Sequence, residues 1–126
     1  MLKLLAVGLG GFIGAIARYG LSGLVHRYDF GGFPAGTLAV NVLGCLVIGA
    51  VSFLVDQRQF FSPEIRLFIS IGLLGSFTTF STVAFETVEM LRAREMLIAG
   101  VNIAANVLIG LVAVWLGRVA MRSLGV

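Results

Sequence analysis

Four stretches of this chain stay apolar for about the thickness of a bilayer, and the turn-forming and charged residues collect between them. The pattern predicts helices over about 4–25, 35–55, 65–90 and 96–120. The connections are short: His26 to Pro34 with Gly31-Gly32 and Pro34 as breakers, Asp56 to Glu64 with Pro63, and Arg92 to Glu95. Each stretch meets the length of about 20 apolar residues that a spanning helix needs. The expected fold is an all-α integral membrane protein, a single four-helix transmembrane domain over residues 1–126. Lys3, the first apolar run and Ala15-Ile16-Ala17 mimic a secretory leader, but Arg18 follows directly and three more apolar stretches come after it, so the segment reads as a retained helix.

Polar positions inside these stretches carry more information than the apolar ones. The third stretch is interrupted by Gly72-Leu-Leu-Gly-Ser-Phe-Thr-Thr-Phe-Ser-Thr82, which holds five hydroxyl side chains, two glycines and two phenylalanines. In hydrocarbon every backbone N–H and C=O must be satisfied internally, so irregular backbone at this depth belongs where protein buries it or water lines it. Broken helices of that kind present free carbonyls and amides to ions. The stretch therefore reads as an ion site within a broken third helix, against the alternative that its small residues only permit close helix packing. Beyond the break, Phe80, Val83 and Thr87 share one helical face, and Thr82, Glu86 and Glu89 the adjoining one, with Ser81 between. Glu86 is either an ion-linked group or an interfacial carboxylate.

The other helices carry polar stripes of their own. In the second, Thr37, Asn41, Gly44 and Ile48 fall on one face, and the Asn41 amide either glues helices together or lines a path. In the fourth, Asn102 and Asn106 stack four apart with Gly110 continuing the stripe, which suggests a polar track. In the first, Gly10 and Gly14 form a small-xxx-small pair that either admits a neighbouring backbone or is incidental. Arg18 lies about 10 Å from the helix end at about 1.5 Å per residue, so it either snorkels or faces inward to attract anions.

Composition agrees with this reading. The chain is 59% hydrophobic and 12% charged, with a mean hydropathy of +1.06, which excludes an ordinary soluble domain. The net charge of +3 belongs to basic loops and gives no reason to expect nucleic acid. Cys45 is single, sits in an apolar run and reads as a packing residue; His26 reads as solvated. Four spans put Lys3, Arg58, Arg66, Arg118 and Arg122 on one side and Arg27, Arg92 and Arg94 on the other, five against three with Arg18 set aside. A bias that weak permits insertion in both orientations, and a chain this short walls only a thin pore alone. Both point to an antiparallel dimer with a two-fold interface.

No nucleophile–base pair, metal-ligand cluster or phosphate loop is present, so the chain does not read as an enzyme. What remains is hydroxyl and amide donors, phenyl edges and one buried cation. Hydroxyls and amides donate to anions, and the edge of a phenyl ring is the positive part of its quadrupole. The set suits a small hard anion.

Three motifs in order, Gly10-Gly-Phe-Ile-Gly14-Ala-Ile-Ala-Arg18-Tyr19, Pro34-Ala-Gly-Thr37-Leu-Ala-Val-Asn41-Val-Leu-Gly44 and Gly72-Leu-Leu-Gly75-Ser-Phe-Thr78-Thr-Phe80-Ser81-Thr82, closely resemble the Fluc (CrcB) family of fluoride channels. The resemblance spans all four helices. It implies a dual-topology antiparallel homodimer in the cell (inner) membrane that passively exports fluoride and confers fluoride resistance. It implies a central structural sodium ion held by the backbone carbonyls of Gly75 and Thr78. Phe80 matches a pore phenylalanine, Asn41 a pore amide, Ser81 and Thr82 hydroxyls near the anion path, Arg18 a basic vestibule residue and Glu86 an acidic residue late in helix three. Thr37, Asn102 and Asn106 join the expected path on the stripe argument. One position departs: the family pattern ends Ser-Thr-Phe, whereas this chain has Ser81-Thr82-Val83, so the second pore phenylalanine is missing. The rival readings are a small dual-topology multidrug exporter, which would want a deep carboxylate where helix one has only Arg18, and a structural membrane subunit, which would not need the Ser/Thr/Phe break.

Overall fold

The computed structural model describes residues 1–28, 31–58 and 61–125, with Gln57 and Arg58 by backbone only; the expected loop residues Asp29 and Gln59 lie outside the described residues. Four helical spans are present: α1 (Leu2–Val25), α2 (Ala35–Arg58), a third span over Pro63–Arg92, and α6 (Met96–Ser123). Each is long and apolar enough to cross a membrane, and the chain is a multi-pass membrane protein. Helices α2 and α6 reach 58 and 123, past the expected 55 and 120, because nothing in Asp56-Gln57 or Met121-Arg122 breaks a helix.

The third span is built in pieces. It opens with α3 (Pro63–Arg66), started by Pro63 at its first position and by Ser62, whose Oγ accepts the Ile65 N–H at 3.3 Å. A π-helical segment follows over Leu67–Leu74, then the short turn α4 (Gly75–Phe77). Thr78 and Thr79 are extended, with ψ of 160° and 114°. Helix α5 (Phe80–Arg92) then restarts. The break thus falls on two residues near the end of the expected 72–82 stretch, and Gly72 and Gly75 lie in helical backbone ahead of it.

Two contacts hold the bundle, and glycine sets both. Helix α1 packs on the π-helical segment so closely that a Cβ on Gly14 would run into the Leu73 carbonyl, and one on Gly10 into the Phe68 carbonyl. Gly72 returns the contact, its Cβ position 2.7 Å from the Val7 carbonyl. The Gly10/Gly14 pair is therefore a seat for a backbone, as small residues are in membrane bundles. Helix α2 packs in the same manner along α6, where Gly49 meets Val114 and Gly117 meets Leu46. Helix α5 leans on α6. Among the described residues the interior is short of large apolar groups: Val40, Leu74, Val83, Met90, Ala99 and Ala113 are buried beside Thr37, Thr79, Thr87 and Asn102.

Candidate functional site

Two consecutive extended residues at mid-span leave backbone groups that no helix satisfies, and a side chain from α2 takes them up. Asn41 Oδ1 accepts the Thr79 N–H at 2.8 Å, and Asn41 Nδ2 donates to the Thr79 carbonyl at 3.1 Å. The amide of Asn41 thus pairs with Thr79 as a neighbouring peptide group would, which is how non-helical backbone survives at membrane depth. Its second amide proton goes to Asn106 Oδ1 on α6 at 2.8 Å. Both Asn41 protons are committed inside the protein, so the gluing role left open by the sequence is present in full. Gly44, one turn on, leaves room for the Thr78 methyl group.

Thr79 is the hub, although it was not among the residues expected at the site. Its Oγ1 caps α5 by accepting the Thr82 N–H at 3.2 Å, and it lies 2.9 Å from Thr82 Oγ1 and 3.2 Å from Ser81 Oγ. The available signal was a threonine placed just before a helix restart, in the position an N-cap takes. Above this cluster Thr37 Oγ1 donates to Glu86 Oε1 at 2.6 Å, tying α2 to α5. Glu86 Oε2 is buried without a partner among the described residues.

Two cavities meet at Thr79. The first, about 400 Å³, is walled by Arg18, Tyr19, Ser22 and His26 from the α1 end and by Thr37, Thr79 and Thr82. Arg18 is half-buried and lines this space, and among the described residues it makes no ion pair. His26 is exposed at the same rim. The second cavity, about 620 Å³, is walled by Asn41, Thr78, Thr79, Phe80, Val83 and Asn106 among mainly apolar neighbours that include Cys45.

The expected site residues divide accordingly. Arg18, Thr37 and Thr82 belong to the first cavity, and Asn41, Phe80, Val83 and Asn106 to the second. Phe80 is 81% exposed at its edge, whereas Val83, three residues on, is only 5% exposed and packs inward. Ser81 is exposed beside Phe80. Asn102 is at 0% exposure and sits behind the wall, not on it: its Nδ2 donates to Thr87 Oγ1 at 3.0 Å, because α5 covers that face of α6. Gly75 is exposed, and Thr78 turns out of the helix while its Oγ1 donates to the Leu74 carbonyl at 2.9 Å.

Comparison with known proteins gives one consistent answer. Residues 5–118 match the family described as CrcB-like protein, Camphor Resistance (CrcB). The chain is 43% identical over 124 residues to a protein of Methanosarcina acetivorans named fluoride-specific ion channel FluC 1, covering 98% of this chain and 94% of that one. It is 45% identical over 118 residues to the fluoride-specific ion channel FluC of Methylobacillus flagellatus, covering 93% and 92%. It is 46% identical over 117 residues to the protein of that name from Hydrogenovibrio crunogenus, covering 93% and 89%.

Proposed function

The chain belongs to the CrcB-like family, and from that premise we propose that it is a fluoride-selective channel that lets fluoride leave the cytoplasm down its gradient and so confers resistance to it. The observation that carries this reading is that Thr79 walls both cavities, so a cluster of neutral hydroxyl donors separates a cationic mouth from an aromatic chamber. Arg18 concentrates anions at the mouth without binding them tightly, as a cleft of one charge sign does. At the partition, the hydroxyls of Ser81 and Thr82 each hydrogen-bond that of Thr79 with either atom able to donate, so an O–H can swing to an arriving anion while the Thr82 N–H keeps the helix capped. Beyond it, Phe80 offers the positive edge of its ring. A small hard anion trades its water for these donors; chloride, larger, fits the same spacing less well. Purified protein in liposomes is expected to release fluoride without an imposed proton gradient and to retain chloride; equal release of the two sinks the proposal.

The working unit is an antiparallel homodimer. Phe80 stands largely exposed at the edge of the larger cavity, where a second copy closes the chamber. The five-against-three charge bias allows the two orientations this needs. With Cys45 replaced, a cysteine placed in a loop should be labelled from both sides of the membrane in cells; labelling from one side alone refutes dual topology. A structural sodium ion suits the break. The helical bond that Gly75 would receive from Thr79 is not made, since the Thr79 N–H goes to Asn41, and the Thr78 carbonyl leaves the helix axis. The Gly75 and Thr78 carbonyls would be the groups to hold such a cation, which would raise the local potential for anions. Exchange of sodium for a bulky organic cation should weaken the dimer or the flux, and indifference of both counts against the site.

A further inference from the structure

Along the wall of the larger cavity runs a chain of side-chain hydrogen bonds, from the break in the third span to the middle of α5 by way of two other helices. The Thr79 N–H donates to Asn41 Oδ1, Asn41 Nδ2 to Asn106 Oδ1 at 2.8 Å, and Asn106 Nδ2 to Asn102 Oδ1 at 3.0 Å. Asn102 Nδ2 donates to Thr87 Oγ1 at 3.0 Å, and Thr87 Oγ1 to the Val83 carbonyl at 2.7 Å. Every link points the same way. The direction follows from the two ends, each of which dictates it independently. A backbone N–H at Thr79 can only donate, so Asn41 must turn its oxygen there and its nitrogen towards Asn106. A backbone carbonyl at Val83 can only accept, so Thr87 must donate to it and is left to accept from Asn102, which turns the Asn102 nitrogen towards Thr87. Between them Asn106 has one arrangement that serves both neighbours. Three amides that could each flip are held in a single orientation.

Bonds polarised head to tail strengthen one another, and partial satisfaction of such a network in low dielectric is costly. Asn41, Asn106 and the little-exposed Thr87 line the chamber, whereas Asn102 is buried behind it. We propose that Thr87 and Asn102 are positioning residues which, acting through Asn106, lock the Asn41 amide and with it the Thr79 turn, so that the geometry of the hydroxyl partition is set from the α5–α6 contact. Removing the Thr87 hydroxyl leaves Asn102 Nδ2 only the long 3.5 Å bond to the Val83 carbonyl and Asn106 Nδ2 its 2.9 Å bond to the Asn102 main-chain carbonyl, so the bonds that reach Asn41 weaken while Thr79 still sets its orientation. Asn102 lies off the chamber and does not touch the anion, so its variant separates positioning from contact.

The inference rests on the channel reading for its effect on conduction, so it is tested by one readout that needs no conduction and one that does. In detergent-solubilised protein the side-chain amide resonances of Asn41 are compared for the wild type, Thr87→Val and Thr87→Ser. Thr87→Val keeps the shape and removes the hydroxyl; Thr87→Ser keeps the hydroxyl. The expected result is a shift and faster solvent exchange of the Asn41 amide in Thr87→Val and restoration in Thr87→Ser, although Asn41 and Thr87 do not touch. In liposomes Thr87→Val should lose about tenfold in fluoride rate or in preference over chloride, the effect of about one interhelical hydrogen bond near the upper end of its range, with Thr87→Ser recovering it. Asn102→Leu should act as Thr87→Val does. An Asn41 resonance unmoved by Thr87→Val overturns the relay whatever the flux. A moved resonance with unchanged rate and selectivity overturns the positioning role. A wild type that conducts no fluoride fails the channel reading instead and leaves the Asn41 resonance to decide the relay.

Discussion

The two halves of the third span are held by opposite means. Over Leu67–Leu74 the chain presents glycine and lies backbone against backbone on α1, through Gly72 against Val7 and Gly14 against Leu73. Over Phe80–Arg92 it keeps side chains between the helices and is tied to α2 by Thr37 and to α6 by Asn102, with Asn41 holding Thr79 just ahead of it. The first contact gains dispersion from close approach and tolerates no added atom. The second gains from satisfying groups that hydrocarbon would leave bare. A rigid seat on one side and a polar, adjustable wall on the other leave the two-residue turn between them as the place where a path can open.

Substitutions separate the two kinds of contact. The largest effect is expected from Gly14→Val, where the new atoms meet a backbone carbonyl that cannot turn aside. Overpacking of this kind costs about 1–3 kcal/mol or more, and folded protein should be lost from size-exclusion chromatography. Gly8→Val, on the same helix with open space around it, should elute as the wild type does. If both behave alike, the seat is not what holds this half.

Next comes Asn41→Leu, which strands both the N–H and the carbonyl of Thr79. A buried unsatisfied group costs about 1–3 kcal/mol, so a lower melting temperature together with loss of fluoride release is expected. Retained flux would mean that the turn holds its shape unaided. Phe80→Ile removes the ring edge but strands nothing, and should abolish most fluoride flux with no change in melting temperature. Its counterpart, Val83→Phe, adds a ring where Val83 already walls the 620 Å³ chamber; flux should be kept or raised if the ring turns into that space. Should Val83→Phe block release while Phe80→Ile is silent, the path does not run past Phe80. The smallest effect belongs to Asp56→Asn, which breaks the ion pair to Arg118 at 3.1 Å on the exposed end of the bundle. Such pairs contribute about 0–1 kcal/mol, and neither flux nor melting temperature should move measurably.

The four spans, the special status of the third and the polar stripes of α2 and α6 were legible in the sequence because they rest on local periodicity. Asn102 and Asn106 stack at i and i+4 whatever surrounds them, and they do bond to each other. The exact turn was not legible. The N-cap character of Thr79 is a weak local signal beside Gly72 and Gly75, which are better helix breakers by propensity than threonine. The turn sits where it does because an amide thirty-eight residues earlier in the chain reaches it.

Read alone, then, the chain determines that it is a membrane protein of four helices with a polar interruption at mid-depth, since hydropathy and helical period depend only on which residues follow one another. Tertiary structure alone decides which groups wall the chamber and which lie behind it: Asn102 is hidden because α5 crosses its face of α6, while Phe80, displayed at the edge, and Val83, buried in the wall, share one cavity. The physical reason is that a buried donor or acceptor takes the partner its neighbours bring within reach, and those neighbours come from other helices.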